Sequence, residues 1–398
     1  MKVRGKIRPG YVRSIESNTM DLGYRMAMVR TYGTKPFGFC PAARVSRSRT
    51  FQVRREQFPV CCASKHGEYP TIVTIGEALY DCLADELGKS KEEVSSWTPY
   101  PGGAPANVAT ATSRLGDYTA FISAVGEDSL GDNFLDLLRE RNVNIEYVQQ
   151  VKHPTRDVLV TRTLDGDREF AGFGRSTDSY ADCFIEESKI PSELISNASV
   201  CVTGTLGLAY EETRKSIEKV ASLAKASPCT LVIDVNWRPV FWDDLNKAHE
   251  IIAKFVHLAD LLKITDEEAE WLLGIPAKKA LENPHDVLSR FPNTKGVLIS
   301  AGENGSSYAF HSGKADFSGS VPVLPVKIAD TTGAGDAYLA GFLHFMLATG
   351  GLESLTSDAD MLHKGVQFAT ACGAATCTKP GAIDAQPNLE DVEALLVG

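Results

Sequence analysis

From Thr71 onward, short apolar runs recur along the chain at a regular spacing. Residues 71–76, 120–125, 199–203, 230–235 and 296–300 are each five or six residues long and rich in Val, Ile, Leu and Ala. Runs this short and this continuous read as strands buried on both faces of a parallel sheet. Between them the period becomes helical. In 129–142, Leu130, Phe134, Leu137 and Leu138 share one face, and in 211–226 Ile217, Val220, Ala221 and Ala224 do the same. This alternation predicts an α/β fold, a doubly wound and mainly parallel sheet flanked by helices. One region departs from it. Residues 157–163 alternate, Asp165-Gly166-Asp167 follows, and 168–173 reads as extended. That pattern predicts a hairpin. With an extended stretch at about 77–100, the lid strands would fall at about 77–100 and 155–175. They would form a small β lid over the edge of the main sheet where such folds bind ligands.

Charge divides the 398 residues into two unequal parts. Residues 1–65 hold ten Arg and four Lys against three acids, a charge of +11, and the remaining residues carry −21. An acidic body repels phosphate backbones, so direct nucleic-acid binding is not expected. The first 65 residues are Arg-rich, Ser/Thr-rich, acid-poor and without a strong apolar segment. This is the composition of an organelle transit peptide, with plastid stroma the first expectation and mitochondrion the second; the alternative is a basic arm that stays attached. The globular domain is then expected over 66–398. No apolar run reaches the ~18 residues of a membrane span, so no membrane partner is expected. Nine cysteines without a C-x-x-C pair argue against a disulfide framework or a Cys-rich zinc site.

Two glycine-rich turns carry candidate chemistry. In Pro101-Gly102-Gly103-Ala104-Pro105-Ala106-Asn107, paired glycines let backbone approach a ligand, and a helix starts near Pro105 with Asn107 in its first turn. The other reading is a plain loop-to-helix turn. In Asp330-Thr331-Thr332-Gly333-Ala334-Gly335-Asp336, successive free N–H groups precede a helix over 337–348 and offer an anion hole. Asp336 stands inside that hole, where the helix dipole would hold it ionised. There it could take a proton from a hydroxyl attacking a γ-phosphate. The other reading makes Asp336 an N-cap.

These two segments, in this order and about 230 residues apart, resemble the two signatures of the PfkB/ribokinase family of carbohydrate kinases. Gly76-Glu77-Ala78-Leu79-Tyr80-Asp81, Val125–Gly131, Asp234–Trp242, Lys263–Glu268, Ser300–Gly305, Gly373-Ala374 and Gly381-Ala382-Ile383 are similar to further family blocks. Ala104-Pro105 and the 234–242 segment point to the fructokinase-like branch. The resemblance covers about 70–390 and implies ATP-dependent phosphorylation of a sugar hydroxyl, of fructose or a related ketose. It implies Asp336 as base and Gly333, Ala334 and Gly335 as the anion hole. Asp81, Gly102, Gly103, Asn107, Arg175 and Arg238 would bind substrate. Glu268, Ser300, Gly302, Gly305 and Thr370 would serve the nucleotide. Mg²⁺ would sit near Glu268 through water, and K⁺ at Asp330 and Thr332. Arg168 and Arg175 on the lid would clamp a hydroxyl or a phosphate, and two lids would pair in a homodimer. Departures occur at Thr265, Thr370 and Ala301, and in the lid run 170–175. A second implication is a plastid fructokinase-like scaffold or regulatory subunit of a transcription or nucleoid complex, with little or no kinase activity.

Overall fold

The computed structural model describes residues 69–165, 168–312 and 316–397. The basic segment 1–65, and with it the expected transit peptide, lies outside them, as do Gly166 and Asp167 of the expected hairpin turn.

Thirteen strands are described: β1 (Ile72–Ile75), β2 (Leu79–Leu87), β3 (Trp97–Gly102), β4 (Thr119–Gly126), β5 (Val148–Val151), β6 (Arg156–Arg162), β7 (Arg168–Phe173), β8 (Val200–Thr203), β9 (Thr230–Asp234), β10 (Leu261–Thr265), β11 (Gly296–Ser300), β12 (Ser306–His311) and β13 (Asp316–Val321). Nine build one sheet in the order β13-β12-β11-β10-β9-β8-β1-β4-β5, parallel from β11 through to β5 and antiparallel at the β11–β12–β13 end. A second sheet, β3-β2-β6-β7, comes from two separate stretches of chain. This is the ribokinase-like arrangement expected from the sequence.

The five apolar runs are β1, β4, β8, β9 and β11. The strand missing from that set is β10, whose run Leu261-Leu262-Lys263-Ile264-Thr265 is broken by a lysine. Lys263 is buried because Asp234 stands opposite it in the β9 register and pairs with it at 3.0 Å. Sequence periodicity counts Lys as solvent-seeking, and only a buried partner reverses that.

Helices Ser129–Glu140 and Glu211–Lys225 form where the period predicted them. In the first, Phe134 and Leu138 are buried as expected, but Leu135 joins them while Leu130 and Leu137 are only half-buried. Its N-cap, Asp128, accepts from Gly131 N at 2.8 Å and also from Thr155 N and the Thr155 hydroxyl. The Val125–Gly131 block is therefore a joint that fastens β4 to the chain entering β6.

Helices Ala334–Ala348 and Ala359–Thr376 pack closely through small residues. A Cβ at Gly341 would lie 2.6 Å from Cys372 Sγ, and one at Gly373 would lie 3.0 Å from Ala334 O. This contact seats the start of the first helix, at Ala334, against Gly373 of the second.

Candidate active site

Glu77 follows β1 and is buried. Its Oε1 accepts the Ala104 N–H at 3.0 Å, one of the unpaired donors at the start of helix Ala104–Leu115. Burial, reinforced by the charges of Asp182 and Asp336, pushes its carboxyl up to about 8 against the pull of its backbone hydrogen bonds. Gly103 caps this helix at φ +103°, and a Cβ there would lie 2.5 Å from Glu77 O, so the position requires glycine. Gly102 ends β3, opposite Leu79, and a Cβ on it would lie 3.6 Å from Asp81 Oδ2. Burial raises Asp81 to about 6, although the positive charges of Arg168 and Arg238 oppose the shift.

Asn107 stands in the first turn of the same helix, buried, and its Nδ2 donates to Asp336 Oδ2 at 2.7 Å. The Gln386 amide holds the Asn107 carbonyl at 2.8 Å. The two glycine-rich segments, 229 residues apart in sequence, thus meet through one hydrogen bond. Asn107 Oδ1 is buried and, among the described residues, accepts no hydrogen bond.

Asp336 is not the N-cap. That position belongs to Gly333, at φ +77°, where a Cβ would lie 2.9 Å from Ala382. Asp336 sits inside the first turn with its carboxylate aimed at Asn107. Burial is the largest influence and pushes the Asp336 carboxyl above its ordinary range, while Asn107, Lys263 and Arg238 pull it down. Of the anion-hole N–H groups, that of Ala334 donates to Thr331 O at 3.3 Å. Those of Gly333, Gly335 and Asp336 make no backbone bond among the described contacts.

Lys263 lies below this loop. A Cβ at Gly335 would sit 3.3 Å from its Nζ. Burial alone would lower the lysine, but Asp234, Glu268 and Asp336 outweigh it and hold the ammonium charged. Sequence reasoning did not single out Lys263 or Asp234 as site residues; the break in an otherwise apolar strand was the available signal. Glu268 is buried and accepts from Trp237 N at 2.7 Å and Thr265 N at 2.8 Å, closing a capping box with Thr265. Thr265 therefore serves as the cap of helix Asp266–Leu273.

The remaining expected site residues divide. Ser300 ends β11, and Gly302 and Gly305 shape the turn into β12, both at positive φ. Thr370 is buried, and its hydroxyl donates to Val366 O at 2.9 Å, so that donor is already committed within its helix. Arg238 is exposed, donates to Trp237 O and acts electrostatically on both Asp81 and Asp336. The Arg175 side chain is exposed, and the contact described for this residue is its backbone N–H to the Tyr180 hydroxyl. Arg168 does reach the loop: Nη1 donates to Thr332 Oγ1 and Nη2 to Asp330 Oδ2, each at 2.9 Å. Among the described residues no group of three or more His, Cys, Asp and Glu side chains is arranged to hold a metal ion.

The pfkB family carbohydrate kinase model matches residues 70–389. The chain belongs to that family. It is 35% identical over 325 residues to probable fructokinase-2 of Arabidopsis thaliana, covering 81% of this chain and 94% of the relative. It is 37% identical over 335 residues to probable fructokinase-6, chloroplastic, of the same plant, covering 83% of each. Among solved structures, fructokinase from Xylella fastidiosa with bound ATP aligns at TM-score 0.72 and 26% identity, over 82% of this chain and 98% of the other. A fructokinase double mutant from Vibrio cholerae O395, solved with fructose, ADP and potassium ion, aligns at TM-score 0.68 and 26% identity, over 83% and 100%. This pfkB family member is a sugar kinase of the fructokinase-like kind, and its reaction is ATP-dependent phosphorylation of a sugar.

Proposed function

We propose that this kinase transfers the γ-phosphoryl group of ATP to a hydroxyl of fructose or a closely related ketose, with Asp336 as general base. The observation that carries the proposal is the Asn107–Asp336 pair. Nδ2 fixes one carboxylate oxygen of Asp336, and the buried Oδ1 of Asn107 has no donor among the described residues. A buried acceptor without a donor costs about 1–3 kcal/mol, and a sugar hydroxyl bound beside Asp336 would supply one. Asp81 would take another hydroxyl, with Gly102 and Gly103 allowing close approach and Arg238 lending its charge to the same pocket.

As the sugar oxygen bonds to the γ-phosphorus, Asp336 takes its proton and the bond from phosphorus to the β–γ bridging oxygen breaks, releasing ADP. The free N–H groups of Gly333, Gly335 and Asp336, with Lys263 beneath them, stabilise charge on the transferred group. Ser300, Gly302 and Gly305 would border the nucleotide. Glu268 would hold magnesium through water, since each of its oxygens has accepted only one backbone N–H and retains a lone pair. The bound ion supplies charge neutralisation on the phosphates.

Potassium at Asp330 is a different matter. Asp330 Oδ1 accepts Thr332 N and Oγ1, and Oδ2 accepts Gly381 N and Arg168. The side chain does not fit a further cation.

ADP release with MgATP across ketoses, aldoses, nucleosides and sugar acids tests this reading. Fructose should turn over, and Asp336→Asn should melt like the parent while kcat drops ~10²–10⁴-fold. Undiminished turnover by the folded variant would remove Asp336 from its role, and preference for another sugar would remove fructose. The basic 1–65 segment, and similarity to a relative named chloroplastic, support a plastid location, to be checked by import of a fluorescent fusion. The outer strands of the second sheet, β3 and β7, are where two copies would pair, which sedimentation would detect.

A further inference from the structure

The loop that presents the anion-hole N–H groups begins at Asp330, and the acceptor capacity of Asp330 is fully used. A carboxylate offers about four lone-pair positions on its two oxygens. Here the four donors are Thr332 N at 3.0 Å, Thr332 Oγ1 at 2.7 Å, Gly381 N at 2.9 Å and Arg168 Nη2 at 2.9 Å. Three of these are neutral and one is a full positive charge. Arg168 then closes a ring: its Nη1 donates at 2.9 Å to the Thr332 hydroxyl, whose own proton goes to Asp330. The pair is sheltered, with the Asp330 side chain 9% exposed and that of Arg168 33%. Resemblance to the family led to a monovalent cation at Asp330 and Thr332. A cation ligated by the Asp330 carboxylate would have to displace one of these donors, and the guanidinium already balances the charge.

We propose that Arg168 is the resident cation of this loop, so that the anion hole of this chain is set without a monovalent metal ion. Arg168 is a positioning residue. It acts through Asp330 and Thr332 on the N–H groups of Gly333, Gly335 and Asp336. Because Arg168 stands on β7, 162 residues before Asp330, the loop also takes its shape from the second sheet. The phosphate cradle and the small sheet are therefore coupled by one side chain.

The proposal rests on the kinase reading, and its test includes measurements that need no turnover. The full chain and its Arg168→Ala and Arg168→Lys variants are compared in potassium chloride and in choline chloride at equal ionic strength. ATP affinity, the melting shift caused by ATP, kcat and KM are recorded. The parent should behave alike in both salts. In choline, Arg168→Ala should lose ATP affinity and kcat, roughly tenfold to a hundredfold, the scale expected when reacting groups are slightly misplaced. Potassium, or millimolar guanidinium chloride, should restore part of the loss by entering the vacated place, and Arg168→Lys should keep most of the parent's values in choline. A parent that needs potassium for ATP binding or turnover overturns the proposal. So does Arg168→Ala with unaltered ATP affinity, or one weakened and rescued by neither ion. If the parent turns over no sugar, the kinase reading fails, and the ATP affinities in the two salts still decide the role of Arg168.

Discussion

Asp336 is pulled in two directions by its neighbours. Burial favours the neutral acid, and the Asn107 amide, the Lys263 ammonium and the Arg238 guanidinium favour the carboxylate. A base serves best when its pKa is brought toward the working pH, and a carboxyl raised by burial moves that way. Asn107 is the neighbour in direct contact, so its removal is the most informative change. Asn107→Ala removes a hydrogen bond that lowers the Asp336 pKa, so that pKa must rise further. The base is active only when deprotonated. The acid limb of the kcat/KM profile should therefore move to higher pH, and KM for the sugar should rise because Oδ1 is lost as an acceptor. An acid limb that stays in place would separate Asn107 from the base.

At the level of elements, the second sheet is anchored from below by a charge. Arg156, at the start of β6, is fully buried and pairs with Asp182 through two bonds of 2.7 and 2.8 Å. Its guanidinium lies 4.7–5.8 Å from the ring centres of Phe173, Tyr180, Tyr210 and Phe241. Burial works against this charge, but Asp182 outweighs it and keeps the arginine protonated. Arg156→Ala would strand the Asp182 carboxylate in an apolar cluster and should cost about 3–5 kcal/mol in urea unfolding. Replacing Arg156 and Asp182 together by Met and Leu should recover much of that loss, because no charge is then left unpaired. A double variant as unstable as the single one would show that the aromatic packing, not the ion pair, was the larger contribution. The periodicity of β6 gave no sign of this anchor.

For the whole molecule, the clustering of buried acids at the site has a stability consequence. Glu77 titrates in the folded protein at about 8, and Asp81 and Asp234 at about 6. Unfolded, these groups return to ordinary carboxylate values, near 4. Between the two limits the folded chain binds more protons than the unfolded one, so stability falls as pH rises. The two aspartates contribute a decline from about 4 to 6, and Glu77 extends it to about 8. Glu77→Gln removes the longer part. Its urea midpoint should be flatter than the parent's between pH 6 and 8, the upper part of the Glu77 window. Identical slopes would mean that Glu77 is ionised in the folded state. The fold thus gathers acids whose ionised form it disfavours at the place where it must receive polar ligands.

By itself the sequence determined the strand-helix alternation, the small second sheet and both glycine turns. These depend on period and on backbone freedom, and both are local properties. Gly103 and Gly333 were legible because only glycine tolerates their positive φ and the backbone or side-chain atoms pressed against them. The tertiary structure alone decided how charged side chains are partnered. Lys263 against Asp234, Glu77 as acceptor for a helix start, Arg156 under the second sheet and Arg168 on Asp330 have partners that their own stretches of sequence do not name. Each is placed by a partner on another element, 26 residues away for Arg156 and 162 for Arg168. The worth of a buried charge lies in that partner, and a linear sequence does not record it.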